Sequence, residues 1–348
     1  GPLLCEKAEQ LGYSTDLCSY ARIDLGTAFG GAESSPTFGL PKPDLIISNN
    51  NNCSLLVKWF DVYHRAWGVP HVLLDIPFCY ENQSRADFEY IMAQFGGLIR
   101  TIEDLSGQKF DINKARESVK LSSRALKEWK RFLSFATHRP SGITAFDSFV
   151  QMAPILTSRG TEKLAEHYRL LADETEEQVK NGIFPVPGER YRLLWDNIAP
   201  WHQLRKMSSR LASLDANITS ASYTYCIGAL EGEYEPYEFD GKDPLQWLAR
   251  LQNFSVCPHG LNLRGRAMKE VIGRNAIDGV VFASNRSCKV YSLMQMDQMR
   301  HMKEELGIPC IMIDVDHADV RKYSEETTFT RLEALIEMID KKRSGAPA

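Results

Sequence analysis

The sequence predicts an α/β protein made of two Rossmann-like (flavodoxin-like) halves with parallel sheets, joined by a helical segment. Three observations predict it. Short β-branched runs alternate with helical stretches at both ends of the chain. One strand–turn–helix–strand pattern occurs twice, over 44–75 and over 278–316. The stretch 85–182 between them carries helical periodicity alone, divided by Pro140, Pro154 and Gly160.

In the later copy, 280–283 is the apolar, β-branched run of a buried strand. Ser284, Asn285, Arg286 and Ser287 break it, and Cys288 follows at the turn. Helix formers fill 289–306 with no internal Gly or Pro, Gly307 and Pro309 stop the helix, and 311–315 reads as the next strand. The earlier copy has the same order of parts: strand 45–47, an Asn-rich turn, Cys53, an amphipathic helix, Gly68-Val69-Pro70, and a strand ending on Asp75. The opening Asp44 and Asp278 lie nine residues before Cys53 and ten before Cys288. Two cysteines thus stand where a strand ends and a helix begins.

Taken in order, 3–12 is a short helix ending at Gly12, and 13–26 is a turn entering a helix with Cys18 near its start. Gly, Ser and Pro make 26–43 a loop. After the first copy come helices over 86–105, 112–136 and 161–181, with Asp111 as an N-cap, Gly182 past the last end, and shorter pieces around 146–156. A strand at 191–195, a turn, a helix over 201–214 and a strand at 217–225 open the second half. The acidic, aromatic 231–244 reads as a solvated loop, and helix 261–275 leads into the second copy. A closing amphipathic helix over 329–342 has a basic last turn. The expected organisation is a first α/β half (1–84), a helical linking layer (85–185), a second α/β half (186–325) and a closing helix (326–348).

Composition narrows the function. A net charge of −4 argues against a nucleic-acid-binding surface. No apolar run approaches the roughly 20 residues that span a bilayer. Glu6, Lys7, Glu9 and Gln10 interrupt any signal-peptide core, so the cytoplasm is the expected compartment. The eight cysteines are scattered, with no C-x-x-C pair, which excludes a zinc ribbon or a ferredoxin-type run and points to reduced thiols. Taken singly, a cysteine is most often a small buried hydrophobe, and Cys79 and Cys310, beside or inside apolar strands, fit that description.

Cys53 and Cys288 stand instead at polar turns, where predicted strands end and helices begin. In parallel sheets ligands gather at the carboxyl ends of strands, and a helix N-terminus favours a thiolate. Halves facing each other would bring both sulfurs into one cleft, as a metal or redox site. The turns offer Asn, Ser and Arg, with no P-loop and no G-x-G-x-x-G after a strand, so an iron–sulfur cluster is favoured over zinc. Cys18, also at a polar turn into a helix, is the candidate third ligand. Ser19, Asn52 and Ser287 could donate hydrogen bonds to the sulfurs, and Arg286 or Lys289 could offset negative charge; equally, all five could satisfy turn backbone. His64, His71, His259 and His317 read as surface or core histidines, which leaves the general base unassigned.

CSYARIDLG (18–26), PKPDLIISNNNNC (41–53) with VKWF (57–60), DIPF (75–78), PILTSRGT (154–161), YRLLWDNIAPW (191–201) and SNRSCKVYS (284–292) together resemble the 2-hydroxyacyl-CoA dehydratase and benzoyl-CoA reductase family. The resemblance covers nearly the whole chain and is greatest to alpha-type dehydratase subunits. It implies that Cys18, Cys53 and Cys288 hold a [4Fe–4S] cluster in the cleft, with one iron open to water or to the thioester carbonyl of an acyl-CoA. The implied reaction removes water from an (R)-2-hydroxyacyl-CoA to give a 2-enoyl-CoA. It runs through a ketyl radical, after one-electron reduction by an ATP-hydrolysing iron–sulfur activator, under anaerobic conditions. A second homologous subunit completes the implied heterodimer. ATP-dependent ring reduction, as a subunit of a benzoyl-CoA reductase, is the alternative; a non-catalytic, electron-storing partner subunit is an alternative of another class. A flavin is left open as a further cofactor. Family members usually carry a further segment ahead of the first motif cysteine; Cys18 comes early in this sequence, so substrate contacts from such a segment are not assigned.

Overall fold

Parallel strand pairs bridged by a helix recur along the chain, as the alternation of β-branched runs and helix formers predicts. The computed structural model describes residues 1–31, 33, 35–51, 53–225, 237–252 and 260–345. Helix α1 (Pro2–Gln10) begins on a proline, whose missing N–H is harmless in a first turn, and the chain leaves it through Gly12 at φ +97°. Cys18 is the N-cap of α2 (Ser19–Phe29). The first copy of the repeat is β1 (Ile46–Asn49), α3 (Ser54–Trp67) and β2 (His71–Leu74), with Cys53 as N-cap and Gly68 as the left-handed C-cap of the helix. A reciprocal box between Ser84 and Asp87 opens α4 (Arg85–Ser106), and Asp111 caps α5 (Ile112–Ser134) as expected. Short α6 (Ala145–Gln151) and α7 (Ala153–Thr157) precede α8 (Glu162–Lys180).

The second half runs β3 (Tyr191–Asp196), α9 (Leu204–Ala212) and β4 (Ala216–Ala221). The strand expected over 217–225 stops at Ala221, and α10 (Ser222–Tyr225) replaces its end. There the carbonyls of Thr224 and Tyr225 accept from the Trp129 indole and the Lys130 ammonium. Then come α11 (Pro244–Leu251), in a stretch the hydrophobic pattern left unassigned, and α12 (Leu261–Arg274). The second copy is β5 (Gly279–Asn285), α13 (Lys289–Ser292), α14 (Gln295–Leu306) and β6 (Cys310–Val315), followed by α15 (Glu325–Ser344). Its helix, expected to be continuous, is broken at Leu293 and Met294. The break places Gln295 against the sheet, where its amide donates to Asp196 Oδ2 at 2.8 Å. Residues 231–236 of the expected acidic loop lie outside the described residues.

The chain divides into two units: 1–42, 189–221 and 277–348 in one, 43–188 and 222–276 in the other. The first unit holds a four-stranded parallel sheet in the order β4-β3-β5-β6. Leu193, Trp195, Val280, Val281 and Phe282 make its core, with Leu332 and Leu335 of α15 also buried. A Cβ on Gly279 would stand 3.1 Å from Leu335 Cδ1, so the helix lies close over the sheet. Residues 1–42, expected with the first half, group instead with this sheet. A backbone approach of Gly26 to Leu4 locks α1 against α2, and the buried Arg22 of α2 reaches Asp319, beyond β6, at 2.9 Å.

The second unit pairs only β1 with β2, parallel, in register from Ile46↔His71 to Asn49↔Leu74. Most of it is helical. Trp129, Phe132 and Tyr168 fill the α5–α8 contact, and Leu74, Ile76, Ile91, Phe95 and Ala249 form a cluster where α4 and α11 pack beside β2.

Candidate functional site

In the four-stranded sheet, β3 leads outward to β4 on one side while β5 leads outward to β6 on the other. The carboxyl ends of β3 and β5 therefore flank a point where strand order reverses, the usual ligand crevice of an open parallel sheet. Polar residues are buried there. Asn197, at φ +111°, follows β3 and donates to Ala283 O at 2.7 Å. Asn285 ends β5, and Cys288 caps the short α13 without any side-chain cap of its own.

The same unit holds Cys18. The N–H of Ser19 donates to Ser287 Oγ at 3.2 Å, so the residue after one cysteine is tied to the residue before the other. Ser287 Oγ lies 2.8 Å from Asp316 Oδ2, while Asp316 Oδ1 accepts from the N–H groups of Ala318 (3.0 Å) and Asp319 (2.9 Å). Burial works to raise the Asp316 carboxyl, but these backbone donors win and hold it below its ordinary value. His317 Nε2 lies 3.4 Å from Cys18 Sγ, and its Nδ1 contacts Asn285 Nδ2. Tyr20 stacks on the His317 ring with centroids 4.2 Å apart, and its hydroxyl meets the Trp201 indole N–H. Burial pushes the Tyr20 phenol up, with added negative charge from Cys18, Cys288 and Asp316. Burial also holds His317 down, to about 4.

Cys53, in the other unit, has a different setting. Asn51 Nδ2 donates to Gln252 O at 2.9 Å. Asn50 Nδ2 donates to Asp75 Oδ1, its Oδ1 accepts from the N–H of Ile76 at 2.7 Å, and Tyr90 OH donates to Asp75 Oδ2 at 2.8 Å. Asn52 lies outside the described residues. Among the other anticipated contributors, Ser19 and Ser287 are buried in the network beside Cys18 and Cys288. Arg286 and Lys289 are exposed: Arg286 pairs with Asp314 at 2.6 Å, and Lys289 Nζ donates to Arg286 O at 3.3 Å. His64 bonds Val69 O and His71 bonds Ser48 Oγ, while His259 lies outside the described residues.

The described cysteines fall into two groups. Cys5, Cys79 and Cys310 are buried, and burial pushes their thiols up, to about 11 for Cys5 and about 12 for Cys310. Cys18, Cys53 and Cys288 are half-buried, outside any disulfide, and each is an N-cap that makes no side-chain capping bond. Soft sulfur donors at helix N-termini suit iron–sulfur ligation better than they suit a hard cation. Cys18 and Cys288 share one network; Cys53 belongs to the other unit. Among the described residues no three His, Cys, Asp or Glu side chains gather as a ready-made metal cage. His317 is a core histidine by burial, as expected, yet it also touches a candidate ligand, which the sequence reading missed. The available signal was its place, directly after the terminal Asp of the repeat.

The arrangement defines an α/β protein with half-buried thiols at helix starts, two of them following parallel strands. The chain belongs to the family described as 2-hydroxyglutaryl-CoA dehydratase, D-component, whose family model matches residues 1–339. It is 33% identical over 351 residues to the (R)-phenyllactyl-CoA dehydratase alpha subunit of Clostridium sporogenes, covering 99% of this chain and 82% of that protein. Identity to the (R)-2-hydroxyisocaproyl-CoA dehydratase alpha subunit of Clostridioides difficile is 32% over 346 residues, 98% of this chain and 81% of the relative. One of the subunits of the benzoyl-CoA reductase of Thauera aromatica is 29% identical over 349 residues, 97% of this chain and 80% of that relative. The resemblance read from the motifs is the family the comparisons show. No helix among the described residues is long and apolar enough to cross a membrane.

Proposed function

We propose that the chain is the iron–sulfur subunit of a 2-hydroxyacyl-CoA dehydratase, a hydro-lyase that takes water from an (R)-2-hydroxyacyl-CoA and leaves a 2-enoyl-CoA. Its relatedness to dehydratase alpha subunits supports the reaction class. The observation that carries the site is the division of the cysteines: Cys18, Cys53 and Cys288 are set apart from the buried thiols by exposure and by their N-cap positions. These three are the proposed ligands of a [4Fe–4S] cluster, with one iron left to substrate or water.

When bound, the cluster would supply single electrons and a Lewis-acid iron. The β-proton of a 2-hydroxyacyl thioester is too weakly acidic for an ordinary base. Reducing the thioester by one electron to a ketyl radical lets hydroxide leave and acidifies that proton, and the electron is returned at the end. The electron would come from an ATP-hydrolysing activator, and a second homologous subunit would complete a cytoplasmic heterodimer. This chain's own part is to hold the three thiolates. Ser287 and Asp316 fix the turns that carry Cys18 and Cys288. Arg286 and Lys289 stand exposed beside Cys288, where their charge can offset that of an anionic centre.

The benzoyl-CoA reductase relative favours a second reading, ATP-dependent ring reduction. The test is an anaerobic assay with partner subunit, activator, ATP and reductant, offering (R)-2-hydroxyacyl-CoA thioesters or benzoyl-CoA. Enoyl-CoA formation, with a cluster signal that shifts on adding substrate, supports the dehydratase. Reduction of benzoyl-CoA alone selects the ring reductase. A cluster whose signal no acyl-CoA moves would make the chain an electron-storing partner.

A further inference from the structure

We infer that His317 is a positioning residue that donates a hydrogen bond from its Nε2–H to the sulfur of Cys18, weakening that sulfur as a donor to iron. The inference rests on reading Cys18 as a cluster ligand. The hydrogen-bond directions follow from groups that can act in only one way. The backbone N–H of Ser287 can only donate, and it meets Asn285 Oδ1 at 3.3 Å, which fixes which side of the amide is oxygen. The other side, the NH₂ of Asn285, therefore faces His317 Nδ1. A donor there makes Nδ1 the acceptor, so the ring hydrogen sits on Nε2, 3.4 Å from Cys18 Sγ.

The ring has little freedom to turn away. Tyr20 stacks on it at 4.2 Å and 27°, the residue is fully buried, and its carbonyl accepts from the N–H of Trp201 at 3.1 Å. Hydrogen bonds to ligand sulfurs disperse their negative charge and raise the potential of an iron–sulfur centre. Nothing comparable appears among the described residues around Cys53, whose neighbours bond to one another and to backbone. The three proposed ligands would thus differ in donor strength, with Cys18 the one weakened by His317.

The test compares cluster-loaded wild type with His317→Phe and His317→Gln, all prepared without oxygen. Phe keeps a ring for Tyr20 to stack on but has no N–H; Gln can place an amide N–H near the position of Nε2. Midpoint potential and iron–sulfur stretching frequencies are the readouts. The Phe variant should favour the oxidised cluster by about tenfold at a fixed poise, a fall of about 59 mV for one electron, with stretching frequencies raised, and Gln should restore most of both. A folded Phe variant that loses iron retained by Gln also supports the contact. Equal values in all three proteins, or equal displacement by Phe and Gln, overturn it. Should neither variant fold, 15N-histidine labelling of the wild type decides: weak 15N coupling to the reduced cluster supports the bond, and its absence overturns it. Wild type that binds no iron overturns the ligand reading itself, a result distinct from an iron-loaded variant with an unchanged potential.

Discussion

The two copies of the repeat share a plan but not an environment. In each, the residue after the second strand is an aspartate held by a polar side chain from the turn ahead of the cysteine: Asn50 to Asp75 in one, Ser287 to Asp316 in the other. That shared bond explains why the pattern closes on Asp, since the carboxylate braces the turn that presents the thiol. The difference lies in burial. Asp316 is fully buried and is also held by two backbone N–H groups, whereas Asp75 is exposed and bonded by Tyr90 and by Gln94 through backbone. One copy carries its polar scaffold in the core; the other carries it in water. The same sequence grammar thus yields a costly-to-break turn in one unit and a replaceable one in the other.

The largest stability contrast should come from the ion pairs. Arg22→Met removes one of the two guanidinium partners of the buried Asp319, leaving Arg321 at 2.7 Å, and should cost about 1.5–3 kcal/mol in urea unfolding. Arg65→Met removes an exposed i,i+4 pair with Asp61 in the first copy and should cost less than about 1 kcal/mol. Similar losses would erase the comparison. A smaller contrast separates the two aspartates. Asp316→Ala leaves Ser287 and two backbone donors without their acceptor and should cost about 1–3 kcal/mol. Asp75→Ala should cost under about 1 kcal/mol, because water can replace an exposed acceptor.

Acid should sharpen the same difference. The hydrogen bonds and charges of Arg321 and Arg22 overcome burial to hold Asp319 at about 2, against an ordinary 3.8. A carboxyl lowered in the folded state binds fewer protons there than in the unfolded chain, so stability rises with pH in this window. Its contribution is complete above the ordinary value and is lost as pH falls from about 4 through about 2. Near-ultraviolet circular dichroism during acid titration should show that loss in wild type, and Asp319→Asn should flatten it. An unchanged slope would mean that Asp319 does not couple protonation to folding.

How much could be read in advance follows from the range of each interaction. Strands, helices and both copies of the repeat were legible because they rest on local periodicity, Asp111, Gly68 and Gly182 acting where their chemistry predicts. The break at Leu293 was not, since it depends on Gln295 reaching Asp196, nor was the end of β4 at Ala221, since Trp129 and Lys130 claim the carbonyls beyond it. The grouping of residues 1–42 depends on Arg22 finding Asp319 across almost the whole chain, a distance no local pattern records. The candidate cysteines were chosen from a repeated pattern and a family resemblance, and the structure adds their exposure and caps. His317 escaped because a lone histidine carries no spacing signal.

The most direct test of the central claim is iron and acid-labile sulfide content in protein prepared without oxygen, for wild type and for single Ala variants of Cys18, Cys53, Cys288, Cys79 and Cys310. The account predicts iron and sulfide in the proportions of a [4Fe–4S] cluster in wild type, Cys79→Ala and Cys310→Ala, and loss of both in the other three. Folded wild type without iron, or equal iron in all five variants, would contradict it.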